Sequence, residues 1–173
     1  MPRIIVLGNS GSGKSTLARA LAATGQVPHL DLDTLAWEPT SPPTRRPLSA
    51  SIAAITGFMD AHDTWVVEGC YADLLAAAAD RCTRLVFLNP GVEACSANCR
   101  ARPWEPHKYP SPEAQDQNLG MLLAWVRDYE TRGDECSLQA HRRLFDRFAG
   151  EKLEATSRPE LDELVRRLLD SSR

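Results

Sequence analysis

The sequence has no long apolar segment. No uninterrupted apolar run is longer than the six residues 74–79, whereas a helix that crosses a bilayer needs about 18 to 20 such residues. The first residues also lack an apolar run of signal-peptide length. We therefore expect a soluble, cytoplasmic protein with no membrane partner.

Paired cysteines and a basic surplus are also missing. The five cysteines are dispersed and include no Cys-x-x-Cys pair, so neither a zinc ribbon nor a disulfide framework is indicated. The 23 acidic side chains slightly outnumber the 20 basic ones, for a net charge of -3, and general nucleic-acid binders usually carry a basic surplus. A nucleic-acid partner is therefore not expected, and the composition says nothing of the oligomeric state.

Short apolar segments alternate with amphipathic ones along the chain. At 173 residues, with 43% hydrophobic and 25% charged residues, the chain has the size and composition of a single globular domain spanning 1–173. Strands that alternate with helices predict a three-layer α/β fold with a parallel sheet. The predicted strands are 3–7, 29–33, 65–68, 84–89 and 152–156.

Two proline-rich stretches interrupt this alternation. Residues 38–47 and 103–112 contain four prolines each. Because proline cannot continue a helix, both stretches are predicted to be surface loops. They are either stiffened connections or flaps that cover a site.

A glycine-rich segment follows the first predicted strand. Residues 8–15 read Gly-Asn-Ser-Gly-Ser-Gly-Lys-Ser, which fits the G-x-x-x-x-G-K-[ST] pattern of a P-loop, and an amphipathic helix follows it. Such a loop curls its backbone amides around phosphates that also face the positive end of the helix. Lys14 is expected to reach the β- and γ-phosphates, and the Ser15 hydroxyl to bind Mg²⁺. The predicted nucleotide-binding residues of the loop are Gly8, Ser10, Gly11, Ser12, Gly13, Lys14, Ser15 and Thr16.

Two other signatures are missing and narrow the nucleotide chemistry. The chain has no Asn-Lys-x-Asp motif, which reads guanine, and this favours ATP. It has no Leu-Ser-Gly-Gly-Gln signature of transporter subunits either, and it is too short for a ring ATPase with an additional helical domain. A kinase that uses ATP and Mg²⁺ to phosphorylate a small molecule is the interpretation that remains.

Acidic residues lie at the ends of two other predicted strands. Asp31 and Asp33 share one face of the second strand, and ligands of open parallel sheets lie beyond the carboxyl ends of the strands. Asp33 is expected to orient or deprotonate an acceptor hydroxyl, unless it only caps the following turn, and Asp31 is a candidate metal-side residue. Glu68 ends the third strand and is the predicted Mg²⁺ helper, with the uncharged Asn89 as its rival.

Three arginines are candidates for the phosphate and base contacts. Arg100 and Arg102 are two residues apart, so on a helix they point about 200° away from each other. One of them is expected to neutralise charge in the transition state, unless both only decorate a solvated helix end. Arg158 follows the last predicted strand and is expected to flank the adenine. The residues between the prolines that could close over a ligand are Trp104, His107, Lys108 and Tyr109.

These motifs resemble those of P-loop kinase-like proteins related to adenylate and shikimate kinases. The chain resembles still more closely the small ATP-binding proteins named for DNA topology modulation. The resemblance implies a five-stranded sheet in the order 2-3-1-4-5, acceptor binding at Asp33, a substrate-side flap at 34–62 and a lid at 100–112. The segments that carry it are 4–16, 32–37, 65–71, 85–90 and 125–152.

The expected function is therefore an ATP- and Mg²⁺-dependent phosphotransferase with a small acceptor such as a nucleoside, a nucleotide or another hydroxyl compound. Shikimate is a poor candidate because the glycines expected around its ring are missing. The chain also departs from the family pattern at Glu68 and Asn89, where aspartate is common. The first change keeps the charge, and the second argues against a metal role at the fourth strand. The alternative is a nucleotide-dependent switch or slow ATPase that acts through a macromolecular partner, using arginines of the 127–147 region.

Overall fold

The elements of the fold alternate along the chain as the apolar pattern predicts. The structure is a computed structural model that describes residues 2–25, 27–40 and 42–170. The strands are β1 (Arg3–Gly8), β2 (His29–Asp31), β3 (Trp37–Glu38), β4 (Thr44–Arg45), β5 (Trp65–Gly69), β6 (Arg84–Leu88) and β7 (Glu151–Ala155). The helices are α1 (Lys14–Ala22), α2 (Asp33–Ala36), α3 (Leu48–Asp60), α4 (Ala72–Ala79), α5 (Val92–Ala101), α6 (Pro112–Arg127), α7 (Leu138–Arg147) and α8 (Arg158–Asp170), with a 3-10 helix at Asp128–Glu130.

Five strands form one parallel sheet in the order β2-β5-β1-β6-β7. The other two strands, β3 and β4, pair with each other as a separate antiparallel hairpin. Counted among the sheet strands alone, the order is the predicted 2-3-1-4-5. The predicted three-layer α/β fold with a five-stranded parallel sheet is confirmed.

Alternate residues of β1 face opposite sides of the sheet, because successive side chains in a strand point in opposite directions. Ile4 and Val6 pack against α1 and α8, next to Leu17 and Leu164. Ile5 and Leu7 face the other layer, which is formed by α3, α4 and α7. A smaller apolar cluster joins α5 to α6. The sheet is therefore buried on both faces, and its strand ends are free to carry a site.

Three element boundaries differ from the predictions for local reasons. The predicted second strand 29–33 stops at Asp31, because the Asp31 carboxylate accepts a hydrogen bond from the Asp33 amide at 2.9 Å and turns the chain into α2. The β3–β4 hairpin inside the first proline-rich stretch was not predicted. The apolar stripe of the C-terminal region predicts a helix over 134–149. The helix α7 begins at Leu138 instead, since the Ser137 hydroxyl accepts a hydrogen bond from the Ala140 amide at 3.1 Å.

All five cysteines are free thiols. Across the described ranges, no helix combines the length and the apolar character that a membrane span requires.

Candidate active site

A cavity of about 830 Å³ opens at the carboxyl ends of the sheet strands. Its wall includes the loop after β1, Glu68 at the end of β5, Pro90 after β6 and the segment that leads from β7 into α8. Residues 101–108 of the predicted lid cover it from the side. The fold thus brings the glycine-rich loop, the acids and the second proline-rich stretch to one place.

The glycine-rich loop is shaped by backbone conformations that favour glycine. Gly11 and Gly13 have left-handed φ values of 79° and 100°. A Cβ atom on Gly11 would collide with the Cys95 carbonyl oxygen of α5. The Asn98 amide donates to the Gly11 carbonyl at 2.8 Å, and the Asn9 amide donates to the Val126 carbonyl at 3.0 Å. The loop is therefore held against both α5 and α6.

Lys14 starts α1 and is only 8% exposed. Its ammonium donates to the Asn9 carbonyl at 2.8 Å and so folds back over the loop. Two buried oxygens on the same cavity, Ser12 Oγ and Glu68 Oε1, have no hydrogen-bond partner among the described residues. Buried polar atoms without partners are costly, so the donors and acceptors that remain open here fit a polar ligand such as a phosphate with its metal ion.

Glu68 is 1% exposed and lies beside Asp31 in the register of β2 and β5. Its Oε1 atom is 3.5 Å from His29 Nε2. Burial alone would raise the pKa of the Glu68 carboxyl, but the His29 ring, the Lys14 ammonium and the Ser15 hydroxyl together hold that pKa below its usual value. Glu68 is therefore an ionised carboxylate next to the Ser15 hydroxyl, which is the pair that was predicted to serve Mg²⁺.

Asp33 is held by three other side chains. Its Oδ1 accepts a hydrogen bond from the Tyr71 hydroxyl at 2.9 Å, and Tyr71 in turn accepts one from the Trp37 indole at 2.8 Å. Its Oδ2 lies 2.7 Å from Lys108 Nζ. Burial would raise the pKa of Asp33, but Lys108 and the Tyr71 hydroxyl lower it below its usual value. The Asp33 side chain does not cap α2, so the alternative interpretation as a helix cap is wrong.

Lys108 links the predicted lid to the acids at the sheet edge. Besides Asp33, its ammonium lies 3.6 Å from Asp31 and 3.7 Å from Glu105. Burial would lower the pKa of Lys108, but Asp33 and Asp31 raise it further than burial lowers it. Four residues of this stretch were predicted to be able to close over a ligand, and the sequence pattern does not show which of them turns toward β2.

The structure separates the two candidate arginines. Arg102 lines the cavity, 3.4 Å from Ser10 Oγ and 3.2 Å from Glu105. Arg100 is exposed on α5 and does not line this cavity, so its predicted catalytic role has no geometric support. The sequence held a signal for this choice. Pro103 disfavours the helical conformation at Arg102, and α5 indeed ends at Ala101 with Arg102 extended.

Two further predicted residues lie at the margins of the site. Arg158 lines the cavity rim, but its side chain is 74% exposed and pairs with Asp162 at 2.9 Å. Asp31 is engaged by the Asp33 amide and by Lys108 and does not itself line the cavity. Burial and the carboxylates of Glu68 and Asp33 raise the pKa of Asp31, so the structure gives no support to its predicted role as a metal-side residue.

The metal would therefore depend on few protein ligands. Over the described ranges, no group of three or more histidine, cysteine or acidic side chains is arranged to hold a metal ion. This agrees with the way Mg²⁺ is commonly bound, through one or two protein groups together with substrate phosphates and water. Ser15 and Glu68 are the residues that fit this requirement.

Two polar residues of the C-terminal block lie outside the site, His141 in the core and Arg142 nearer the surface. His141 is fully buried between the Tyr129 hydroxyl and the Cys70 carbonyl, each 2.7 Å away, and burial lowers its pKa to about 4. Arg142 forms a two-pronged pair with Glu154 at 2.7 and 3.0 Å and lies over the Phe87 ring. Arg142 is thus engaged in an ion pair with β7.

No family model matches the sequence, and no curated protein sequence matches it. Solved structures do match the fold. A gluconokinase from Sinorhizobium meliloti 1021 superposes with a TM-score of 0.58 and 20% identity, over 98% of this chain and 90% of that one. A shikimate kinase from Acinetobacter baumannii in complex with shikimate gives 0.56 and 18%, over 98% and 92%. A sugar kinase from Janibacter sp. HTCC2649 gives 0.54 and 16%, over 98% and 93%. The chain therefore shares its fold with these three kinase structures.

Proposed function

We propose that this protein is an ATP- and Mg²⁺-dependent phosphotransferase that acts on a small hydroxyl compound. The observation that carries the proposal is the convergence of Lys14, Glu68, Asp33 and Arg102 on one cavity at the strand ends. A P-loop, an ionised carboxylate beside the P-loop serine and a second carboxylate opposite them are the parts that phosphoryl transfer requires. The likeness to kinase structures supports this proposal at the level of the fold.

In the proposed reaction the donor phosphates lie in the loop 8–16, under the positive end of α1. Lys14 would leave the Asn9 carbonyl for the β- and γ-phosphates, and Arg102 would approach the transferred group from the lid side. Ser15 and Glu68 would hold Mg²⁺, which when bound neutralises charge on the β- and γ-phosphates. Arg158, at the rim, would flank the base.

Asp33 would hold the acceptor hydroxyl and receive its proton. Its ionised form is favoured by Lys108 and Tyr71, and a carboxylate at hydrogen-bond distance can orient a hydroxyl for in-line attack. We assign residues 34–62 as the acceptor-side flap and 100–112 as the lid within a single domain. From the resemblance to the proteins named for DNA topology modulation, this proposal takes only the binding of ATP.

The test is ADP release from ATP and Mg²⁺, alone and with a panel of nucleosides, nucleotides, sugars and hydroxy acids. We expect one acceptor class to stimulate release, Lys14→Ala to abolish it, and Asp33→Ala to reduce transfer more than it reduces ATP binding. Slow hydrolysis that no acceptor stimulates, yet that Lys14→Ala abolishes, would instead establish the switch or slow ATPase. ADP release that is equal in wild type and Lys14→Ala would refute both.

A further inference from the structure

The Lys108 ammonium lies at the meeting point of three carboxylates. Asp33 is 2.7 Å away, Asp31 is 3.6 Å away and Glu105 is 3.7 Å away. Asp31 and Asp33 belong to the edge of the sheet, whereas Lys108 and Glu105 belong to the lid. The acids at the sheet edge are therefore neutralised by a cation that comes from a different part of the chain.

The carboxylates around this point outnumber the cations even with Lys108 in place. The register of β2 and β5 puts a fourth carboxylate, Glu68, directly beside Asp31. The cations that face these four carboxylates are Lys108, Lys14, which lowers the pKa of both Asp33 and Glu68, and Arg102, which pairs with Glu105 at 3.2 Å. Like charges in a buried site repel strongly, so loss of Lys108 from this group would be costly.

An acceptor that approaches the Oδ2 atom of Asp33 competes with Lys108 there. The Oδ1 atom of Asp33 accepts from Tyr71 and its Oδ2 atom from Lys108. A neutral acceptor that displaced Lys108 would leave the four carboxylates facing only Lys14 and Arg102, which is costly. An anionic acceptor would gain little attraction from Lys108 and would be repelled by the acids, because the three carboxylates already balance the charge of that lysine. Another ammonium group would restore the arrangement without either penalty.

We infer that the acceptor of this site is a hydroxyl compound that carries a protonated amine, and that Lys108 occupies the place of that amine until the acceptor binds. The inference rests on the proposed phosphotransferase function and narrows its acceptor to a cationic class, such as an amino alcohol or an amino sugar. Asp31 and Asp33 are the residues that select the charge, and the acceptor hydroxyl lies next to Asp33.

The experiment compares probes that share a skeleton and differ in charge. The first set is ethanolamine, ethylene glycol and glycolate, and the second is glucosamine, glucose and gluconate. Binding to the full chain is measured by calorimetry and by the shift in melting temperature, and transfer is measured by ADP release. We expect the amine of each set to bind and to react best. Preference for glycolate or gluconate, equal behaviour within each set, or no binding of any probe would overturn the inference.

A Lys108→Met variant decides between two opposite roles of the lysine. If Lys108 competes with the acceptor amine, removing Lys108 frees the site for the amine. A lysine that occupies the site nine-tenths of the time lowers the apparent affinity for the amine by about tenfold. Amine binding should then tighten by roughly that factor, whereas Asp31→Asn should weaken it. If Lys108 instead binds an anionic acceptor, Lys108→Met would weaken binding of the anion, and the inference would be wrong.

Matched controls separate this inference from the proposed function. Lys152→Met removes an exposed lysine of β7 and should leave amine binding unchanged. Amine binding that tightens in Lys108→Met without any ADP release would keep the cation site and refute the phosphotransferase. ADP release stimulated by a neutral or anionic probe would keep the phosphotransferase and refute the cation site.

Discussion

Replacing Gly11 with alanine tests whether the close contact between the glycine-rich loop and α5 shapes the phosphate cradle. The left-handed φ of 79° at Gly11 costs an alanine about 1–2 kcal/mol. The added methyl group would also overlap the Cys95 carbonyl oxygen and lie 2.8 Å from Cys99 Sγ, and overpacking of this kind costs about 1–3 kcal/mol.

Together these terms predict a loss of roughly 2–5 kcal/mol, which in a chain of this size lowers the melting temperature by roughly 5–15 °C. Because the loop must move to relieve the overlap, affinity for a non-hydrolysable ATP analogue should fall by at least about tenfold, equivalent to about 1.4 kcal/mol. The assays are thermal unfolding and calorimetric titration with the analogue in the presence of Mg²⁺.

Gly57 offers a matched control for the same substitution. It lies exposed in α3, and no atom lies within 4 Å of the position that its Cβ would take. Gly57→Ala should stabilise the helix by about 0.5–1 kcal/mol and leave nucleotide affinity unchanged. A Gly11→Ala protein that melts and binds the analogue like the wild type would refute this account of the loop.

Three further substitutions test the site and the core. Tyr71→Phe removes the hydrogen bond to Asp33, and a hydrogen bond to a charged acceptor is worth about 1.5–3 kcal/mol. The value of kcat with the best acceptor should therefore fall roughly 10- to 100-fold, while KM changes less. An unchanged kcat would show that Tyr71 does not position Asp33. Glu68→Gln should raise the Mg²⁺ concentration needed for half-maximal ADP release by about tenfold or more, and an unaltered Mg²⁺ requirement would remove Glu68 from the metal site. His141 is neutral in the fold and takes up a proton on unfolding, since its pKa falls from 6.5 to about 4. Its contribution of about 3 kcal/mol is complete above pH 6.5 and is lost as the pH falls toward 4. Urea unfolding at pH 7 and pH 4.5 should show this loss in the wild type, and a difference that persists in His141→Gln would place its origin elsewhere.

The fold could be predicted because its signals are local and repeated. Each buried strand of the parallel sheet leaves an apolar run, such as Ile4 to Leu7 in β1, and each covering helix leaves an apolar stripe. The phosphate loop is contiguous, so its residues and its place between a strand and a helix are visible together in the sequence. The strand order followed from the resemblance, which no local pattern replaces.

The contacts across the cavity could not be predicted, since they join distant parts of the chain. Lys108 meets Asp33 only because the lid turns toward β2, and the prolines around Lys108 limit the backbone without aiming the side chain. The apolar pattern predicts a helix that begins at Tyr71, but it does not show that the Tyr71 hydroxyl reaches Asp33, which happens because β2 and β5 are neighbours. Periodicity identifies the face on which a residue lies, but not the atom opposite it.

The lid is attached to the rest of the protein at both of its ends, and we expect these attachments to limit its movement. The lid joins the end of α5 to the start of α6, and these are the two helices that hold the glycine-rich loop through Asn98 and Asn9. Gln115 of α6 also bonds the Glu105 amide and the Pro103 carbonyl of the lid. Both ends of the lid are therefore attached to the two helices that hold the glycine-rich loop. We expect a segment attached in this way to bend in place rather than to swing away as a separate body. Entry would then be restricted to small ligands, and occupancy of the glycine-rich loop would be coupled to the height of the segment above the cavity.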